Sequence, residues 1–267
     1  MASAAQGNKM ELNKIYLGDA YELIKTIPTK SVDLIVTDPP YQINTLTGGS
    51  NRIGNDIMKI TSELGKNSLN VGVDLTILDE FMRVMKKPNI YIWMNLKQLA
   101  PYIDYFVNKH KCNWNLIVWN KPNAMPLCGS KYLNDCEYCA YFYKGIKLNT
   151  RFKTAKTVYV LPINVADKQK YGHPTIKPLE IMENIIYNSS NENEIVLDPF
   201  IGSGTTAVAC KHLKRKFIGF EISEEYHKIA TKRIQGIDKK GRMNLFDLED
   251  SFADCEQITL FDVKKGE

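Results

Sequence analysis

The stretch Ile195-Val196-Leu197-Asp198-Pro199-Phe200-Ile201-Gly202-Ser203-Gly204-Thr205-Thr206 reads as a short apolar strand that stops at an acid and a proline, turns on two glycines and opens into a helix. A second strand, 217–220, ends at Glu221, so this region is a βαβ unit of the nucleotide-binding type. Glycines let the backbone approach a ligand closely, the helix N-terminus presents free N–H groups, and an acid after the second strand can grip a ribose diol. The full three-glycine dinucleotide pattern and the lysine of a phosphate loop are both missing, which disfavours NAD and ATP.

Outward from this unit, apolar runs of strand length alternate with segments of helical period. Strands are expected at 14–17, 32–37, 89–94, 115–119, 138–143, 195–197 and 217–220. Helices are expected at 20–26, 75–85, 96–109, 178–189, 205–213 and 224–234. Such alternation predicts an α/β, doubly wound fold, with a mostly parallel seven-stranded sheet covered by helices on both faces. Residues 42–73 and 148–171 lack a clear period and read as long functional loops, since loops beyond about 15 residues are uncommon in such domains unless they bind something or move.

A second constellation ends the strand at 32–37. Asp38-Pro39-Pro40-Tyr41 follows the apolar run with a carboxylate, two prolines and an aromatic ring. Neither proline can donate a backbone hydrogen bond, so the strand must stop and its last carbonyls face open space. The Asp38 carboxylate and the Pro39 carbonyl can accept from an exocyclic NH₂ group, and the Tyr41 ring can stack on the base that carries it.

Bulk properties set the frame. The 267 residues are 44% hydrophobic and 24% charged, as in an ordinary globular protein, and the net charge of +5 permits nucleic-acid binding without demanding it. No apolar run approaches the ~20 residues needed to cross a bilayer, and the first residues lack the basic and apolar parts of a signal peptide. A cytoplasmic protein that does not enter a membrane is expected. Six cysteines without regular spacing then read as reduced thiols. Cys136 and Cys139, with Cys128 upstream, invite a zinc reading. An i, i+3 offset within a strand places the two thiols on opposite faces, so no metal is expected.

Taken together, Asp38-Pro39-Pro40-Tyr41, His173-Pro174-Thr175-Ile176-Lys177-Pro178 and the Asp198 to Thr205 stretch resemble the β class of S-adenosylmethionine-dependent DNA amino-methyltransferases, in the adenine N6-specific form. The order of the motifs is the permuted one, catalytic half first and cofactor motif near the carboxyl end. The resemblance covers roughly residues 14–234. It implies a methyltransferase domain over 14–236, with a catalytic half at 14–147, a target-recognition segment at 148–172 and a cofactor half at 173–236. A disordered or tag-like start, 1–13, and a charged tail, 237–267, would flank it.

The resemblance implies that Asp38, Pro39, Pro40 and Tyr41 are catalytic. Asp198, Phe200, Gly202, Ser203, Gly204 and Thr205 would surround the methionine part of S-adenosylmethionine, with Asp38 beside them. Glu221 and Ile222 would meet its ribose end, and Asp19 and Ala20 its adenine, while Thr175 and Lys177 would close the pocket. On local grounds Asp19 is equally the N-cap of the helix that follows it, and Lys177 a solvated surface lysine. His173 is read as pocket structure. Residues 119–122, Trp-Asn-Lys-Pro, either line the target pocket or cover the sheet.

The implied reaction is methylation of adenine N6 in double-stranded DNA after the base has left the stack. The alternatives are N4 of cytosine, an RNA or protein-glutamine substrate, and a non-catalytic DNA-binding or regulatory subunit that keeps the fold. Lys147, Arg151, Lys153 and Lys156 are candidate phosphate contacts or simply a solvated charged loop. Both loops are short for a separate recognition domain, which suggests a short target, a homodimer that shares the reading, or a helping partner. Gln257-Ile258-Thr259-Leu260-Phe261 resembles the peptide by which bacterial proteins bind the sliding clamp, and on local grounds reads more readily as an edge strand packing on its own domain.

Overall fold

Central strands that are mostly apolar and buried on every residue must be covered on both faces, and this sheet is built around two of them. The computed structural model describes residues 10–40, 74–125, 132–163 and 176–236. In chain order they form β1 (Lys14–Leu17), α1 (Ala20–Leu23, continued by a 3₁₀ turn Ile24–Thr26), β2 (Leu34–Thr37) and α2 (Ile77–Val84). Next come β3 (Asn89–Met94), α3 (Leu99–Tyr102), β4 (Asn113–Asn120), β5 (Cys136–Tyr143) and β6 (Val158–Val160). The last elements are α4 (Leu179–Ser189), β7 (Ile195–Asp198), α5 (Thr205–His212), β8 (Lys216–Glu221) and α6 (Glu224–Ile234).

The strands lie in the order β1-β8-β7-β2-β3-β5-β4-β6. All pairs from β1 to β3 are parallel, and β5 alone among the described strands runs against its neighbours. All four residues of β2 and all six of β3 are buried. Their side chains divide by parity. Leu34, Val36, Tyr91 and Trp93 join one core with Ile181, Ile185, Ile186, Ala207 and Ala230 of α4, α5 and α6. Ile35, Ile90, Ile92 and Met94 join the other with Ile24, Ile77, Phe81, Val84 and Phe106. The doubly wound α/β expectation is met, with helices on both faces.

The strand count is corrected from seven to eight. Residues 148–171, read as one loop, contain β6, which pairs parallel to β4 at Val118↔Val158 and Asn120↔Val160. Only Tyr159 of its three residues is buried, and its hydroxyl meets Asn184 of α4. A three-residue edge strand inside a Lys- and Thr-rich stretch is too short to show a period. The helix expected over 96–109 also divides. An Asn95–Gln98 capping box starts a 3₁₀ turn, α3 follows, and Ile103–Lys109 is wound as π-helix.

Candidate active site

Parallel strands leave their carboxyl ends on one edge, and in this sheet that edge carries a row of acids. Leu17 of β1 pairs with Glu221 of β8, Asp198 of β7 pairs with Gly219, and Leu197 pairs with Ile35 of β2, three residues before Asp38. Asp19, Glu221, Asp198 and Asp38 therefore follow one another along the mouth of the sheet, where open α/β sheets bind ligands.

The chain around each acid explains its orientation. Gly18 N donates to Glu221 O at 2.9 Å, which ties the turn after β1 to the end of β8. Asp19 Oδ1 accepts from Tyr21 N at 2.9 Å and caps α1, as its position before the helix requires. Ala20, behind it, is buried. Glu221 accepts from Gly202 N at 2.9 Å and from Ser223 N at 2.8 Å, so its carboxylate is aimed by the glycine turn itself. Burial pushes the Glu221 carboxyl above its ordinary value, against the pull of the Ser223, Gly202 and Ile222 N–H groups. Ile222 follows with 62% of its surface exposed, an uncovered apolar side chain at the strand end.

Asp198 is buried and accepts from Thr206 Oγ1 at 2.5 Å and Phe200 N at 3.1 Å. Burial pushes its carboxyl up to about 7, despite the hydrogen bonds of Thr206 and Phe200, and the charge of Asp38 adds to the rise. Phe200 is half-buried with its ring edge-on to Tyr21, centroids 6.3 Å apart.

Two glycines make the turn between β7 and α5, with φ of 52° at Gly202 and 81° at Gly204. A side chain on Gly204 would meet Ala230 Cβ at 3.0 Å, so only glycine lets α5 start this close to α6. The buried Arg233 guanidinium supports the turn from below, donating to Thr205 Oγ1 at 2.8 Å and to Ser203 Oγ at 3.1 Å. Ser203 and Thr205 are buried with it.

Asp38 leaves β2 half-buried, followed by buried Pro39 and half-buried Pro40. Lys177 Nζ lies 2.5 Å from Asp38 Oδ2 and 3.2 Å from Glu137 Oε2, and sits over the Trp93 ring at 5.2 Å from its centroid. Lys177 is no surface lysine, being buried just before α4. Burial alone would lower its pKa, but Asp38 and then Glu137 reverse this and hold it well above the ordinary lysine value. Glu137 in turn reaches Lys121 Nζ at 3.2 Å. Burial opposes ionisation of Glu137, and Lys177 and Lys121 overcome it, leaving the carboxyl below its ordinary value.

The structure thus brings Asp19, Ala20, Asp38, Pro39, Pro40, Lys177, Asp198, Phe200, Gly202, Ser203, Gly204, Thr205, Glu221 and Ile222 to one edge of the sheet. Tyr41, His173, Thr175, Cys128 and the segment 257–261 lie outside the described residues. Trp119 covers the sheet, donating from Nε1 to Leu161 O at 2.8 Å, while Lys121 joins the Asp38 side of the edge through Glu137. Lys121 belongs to the 119–122 stretch expected to line the target pocket or cover the sheet, whereas Glu137 was not among the expected site residues. The visible signal was an acid between Cys136 and Tyr138 in an otherwise apolar, aromatic strand. Cys139 is buried in the core and Cys136 is half-buried at the start of β5. Among the described residues no three His, Cys, Asp or Glu side chains cluster to hold a metal.

The donor set suits a ligand that bears positive charge at one end and a diol at the other. Acids line the whole edge, the glycine turn leaves room for close approach, and each Glu221 oxygen keeps a lone pair beyond its backbone partner. Those are the demands of a sulfonium cofactor with an amino-acid tail and a ribose.

A glycine-turn βαβ unit set beside a carboxylate at the end of the neighbouring strand, on a sheet with one reversed strand, defines a methyltransferase that works on an amino group. The sequence profile of the DNA methylase family N6_N4_Mtase matches residues 32–232, and the chain belongs to that family of S-adenosylmethionine-dependent DNA amino-methyltransferases. It is 31% identical over 249 residues to the Type II methyltransferase M.HinfI of Haemophilus influenzae, covering 85% of this chain and 69% of the relative. Identity to the DNA adenine methyltransferase YhdJ of Escherichia coli (strain K12) is 31% over 257 residues, covering 84% and 83%. The crystal structure of the M1.HpyAVI-SAM complex matches with a TM-score of 0.61 at 30% identity, over 82% of this chain and 98% of that one.

Proposed function

We propose that this enzyme transfers the methyl group of S-adenosylmethionine to the exocyclic N6 of a flipped adenine in double-stranded DNA, with Asp38 as the carboxylate that holds the amino group. The observation that carries the reading is the place of Asp38, one residue past β2 and next along the edge from Asp198, with its Oδ2 held by buried Lys177 at 2.5 Å. A carboxylate fixed in this way is preorganised for a donor that arrives from outside the sheet.

Glu221 would hold the ribose hydroxyls of the cofactor with Ile222 beside it, Asp19 and Ala20 would meet its adenine, and Asp198 and Phe200 with residues 202–205 would face the methionine part. Thr175 would close that end. S-adenosylmethionine, when bound, supplies an electrophilic methyl on a sulfonium, so the protein has only to improve the nucleophile. The amino nitrogen is a poor one because its lone pair is delocalised into the ring. Hydrogen bonds from NH₂ to the Asp38 carboxylate and the Pro39 carbonyl localise that lone pair and favour a tetrahedral nitrogen. The nitrogen sheds a proton once the new N–C bond forms, and Asp38 is the acceptor already in contact. Tyr41 would stack on the extruded base, replacing stacking worth about 1–3 kcal/mol.

Lys147, Arg151, Lys153 and Lys156 would contact phosphates, with sequence read by residues 42–73 and 148–172. The enzyme would work in the cytoplasm, as a homodimer or with a helping partner, and Gln257 to Phe261 would engage the sliding clamp. Among the described residues no helix is long and apolar enough to cross a membrane. A pull-down with purified clamp that is unaffected by Leu260→Ala and Phe261→Ala removes the clamp contact. For the reaction itself, Asp38→Ala should retain cofactor binding and lose turnover, and an active Asp38→Ala enzyme sinks the assignment.

A further inference from the structure

Glu137 and Lys121 take no part in the chemistry above, yet both stand at its edge. Glu137 is the single acid of β5, and its two oxygens are divided between two lysines, Oε1 to Lys121 Nζ and Oε2 to Lys177 Nζ, each at 3.2 Å. Lys177 Nζ continues the chain to Asp38 Oδ2 at 2.5 Å. Asp38, Lys177, Glu137 and Lys121 therefore alternate in sign from the end of β2 across β5 to the end of β4. Lys177 and Lys121 are 6% and 8% exposed, so the two lysines of this row have been taken out of water at a cost that apolar residues would avoid, while the Asp38 and Glu137 side chains stay half-buried. A lysine alone is a poor orienting device, a point charge on a flexible stem. Anchored by Glu137 and seated on the Trp93 ring, Lys177 has one direction in which to meet Asp38.

We propose that Glu137 is a positioning residue for methyl transfer: by holding Lys177 from the far side it sets the orientation of the Asp38 carboxylate and leaves Oδ1 for the amino group of the base, a role that presupposes Asp38 as the base-holding carboxylate. Among the described residues, Lys177 is faced by Asp38 beyond β2 and by Glu137 with the Cys139 thiol on β5. Lys121 stands behind Glu137, and Asp198 beyond Asp38. Burial lowers the Lys177 pKa and Asp38 and Glu137 raise it, so loss of the Glu137 charge must bring it down.

The test compares the full-length wild type with Glu137→Gln on duplex DNA with S-adenosylmethionine, recording kcat, KM for DNA, cofactor affinity and the pH profile of kcat. The expected result is a kcat lowered between about 10-fold and 100-fold, as for a reacting group displaced by a fraction of an ångström, with KM and cofactor affinity within about two-fold. The alkaline limb of the kcat profile should move to lower pH, which a purely structural loss would not produce. Glu137→Asp, which can still reach one lysine, should recover part of kcat. Because Glu137→Gln leaves two buried lysines facing each other, the neutral pair Glu137→Gln with Lys121→Met tests the same point in a charge-balanced fold. Its kcat should stay low. Recovery of wild-type kcat in that pair, or a Glu137→Gln enzyme with unchanged kcat and pH profile, overturns the positioning role while leaving the reaction intact. A wild type that binds cofactor and methylates no DNA overturns the reading of the site itself.

Discussion

Placing a methyl group on Gly204 should cost stability in a way that can be divided into two parts. The backbone at Gly204 has φ of 81°, where an L residue pays about 1–2 kcal/mol. An added Cβ would lie 3.0 Å from Ala230 Cβ, 3.2 Å from its Cα and 3.4 Å from its carbonyl oxygen, and Ala230 is fully buried. Forcing an extra methyl into such a contact costs about 1–3 kcal/mol more, so Gly204→Ala should lose about 2–5 kcal/mol. Ala230→Gly removes the tightest contact and leaves the backbone term untouched. In that background the Cα and carbonyl contacts remain, so Gly204→Ala should cost less than in the wild type but more than the backbone term alone, giving a favourable coupling of at most about 1–3 kcal/mol in a double-mutant cycle. Urea unfolding followed by fluorescence measures all four proteins. The same displacement moves the turn that carries Gly202 N toward Glu221, so cofactor affinity should fall in Gly204→Ala and recover in part in the double variant. A loss below about 0.5 kcal/mol, or an equal loss in both backgrounds, would refute the packing argument.

Asp38→Ala should lower kcat by at least about 100-fold at unchanged cofactor affinity, read by single-turnover methylation and calorimetry. The Asp198 carboxyl, pushed up to about 7 from an unfolded value near 3.8, binds more protons folded than unfolded, so its contribution to stability is present below about pH 4 and is lost as pH rises through about 7. A sulfonium placed beside it should expel that proton, so cofactor binding near pH 6 should release a proton in calorimetry run in two buffers, and Asp198→Asn should abolish the release. Arg233→Met, which strips the hydrogen bonds to Ser203 and Thr205, should destabilise by about 2–3 kcal/mol and loosen cofactor binding, checked by thermal unfolding with and without cofactor. Lys147→Ala with Lys153→Ala should weaken binding to any duplex and reduce the slope of log K against log salt by about two.

The sheet was legible where strands are buried on both faces. Residues 34–36 and 90–94 are unbroken apolar or aromatic runs, and the glycine turn after Asp198 announces both a helix start and a ligand edge. β6 was hidden because its three residues bury only Tyr159. The acids of the edge could be named one by one, since each ends a strand or opens a helix. Their partners could not. Lys177 reaches Asp38 across 139 residues of chain, and Glu137 and Lys121 are joined to that pair only because β4, β5 and β3 lie side by side. Local pattern even pointed away from Glu137, since a charge before an aromatic run reads as a strand boundary, whereas β5 begins at Cys136 and carries Glu137 within it. Asp19 shows the opposite case, where the local role as N-cap is present and the place on the edge coexists with it.

The most direct measurement is the identity of the product. The purified protein is incubated with S-adenosylmethionine and mixed-sequence duplex DNA, the DNA is digested to nucleosides, and any methylated base is identified by mass. N6-methyladenine is the expected product. N4-methylcytosine would contradict the choice of base, and methylation confined to RNA or protein would contradict the account of the site as a holder of a flipped DNA base.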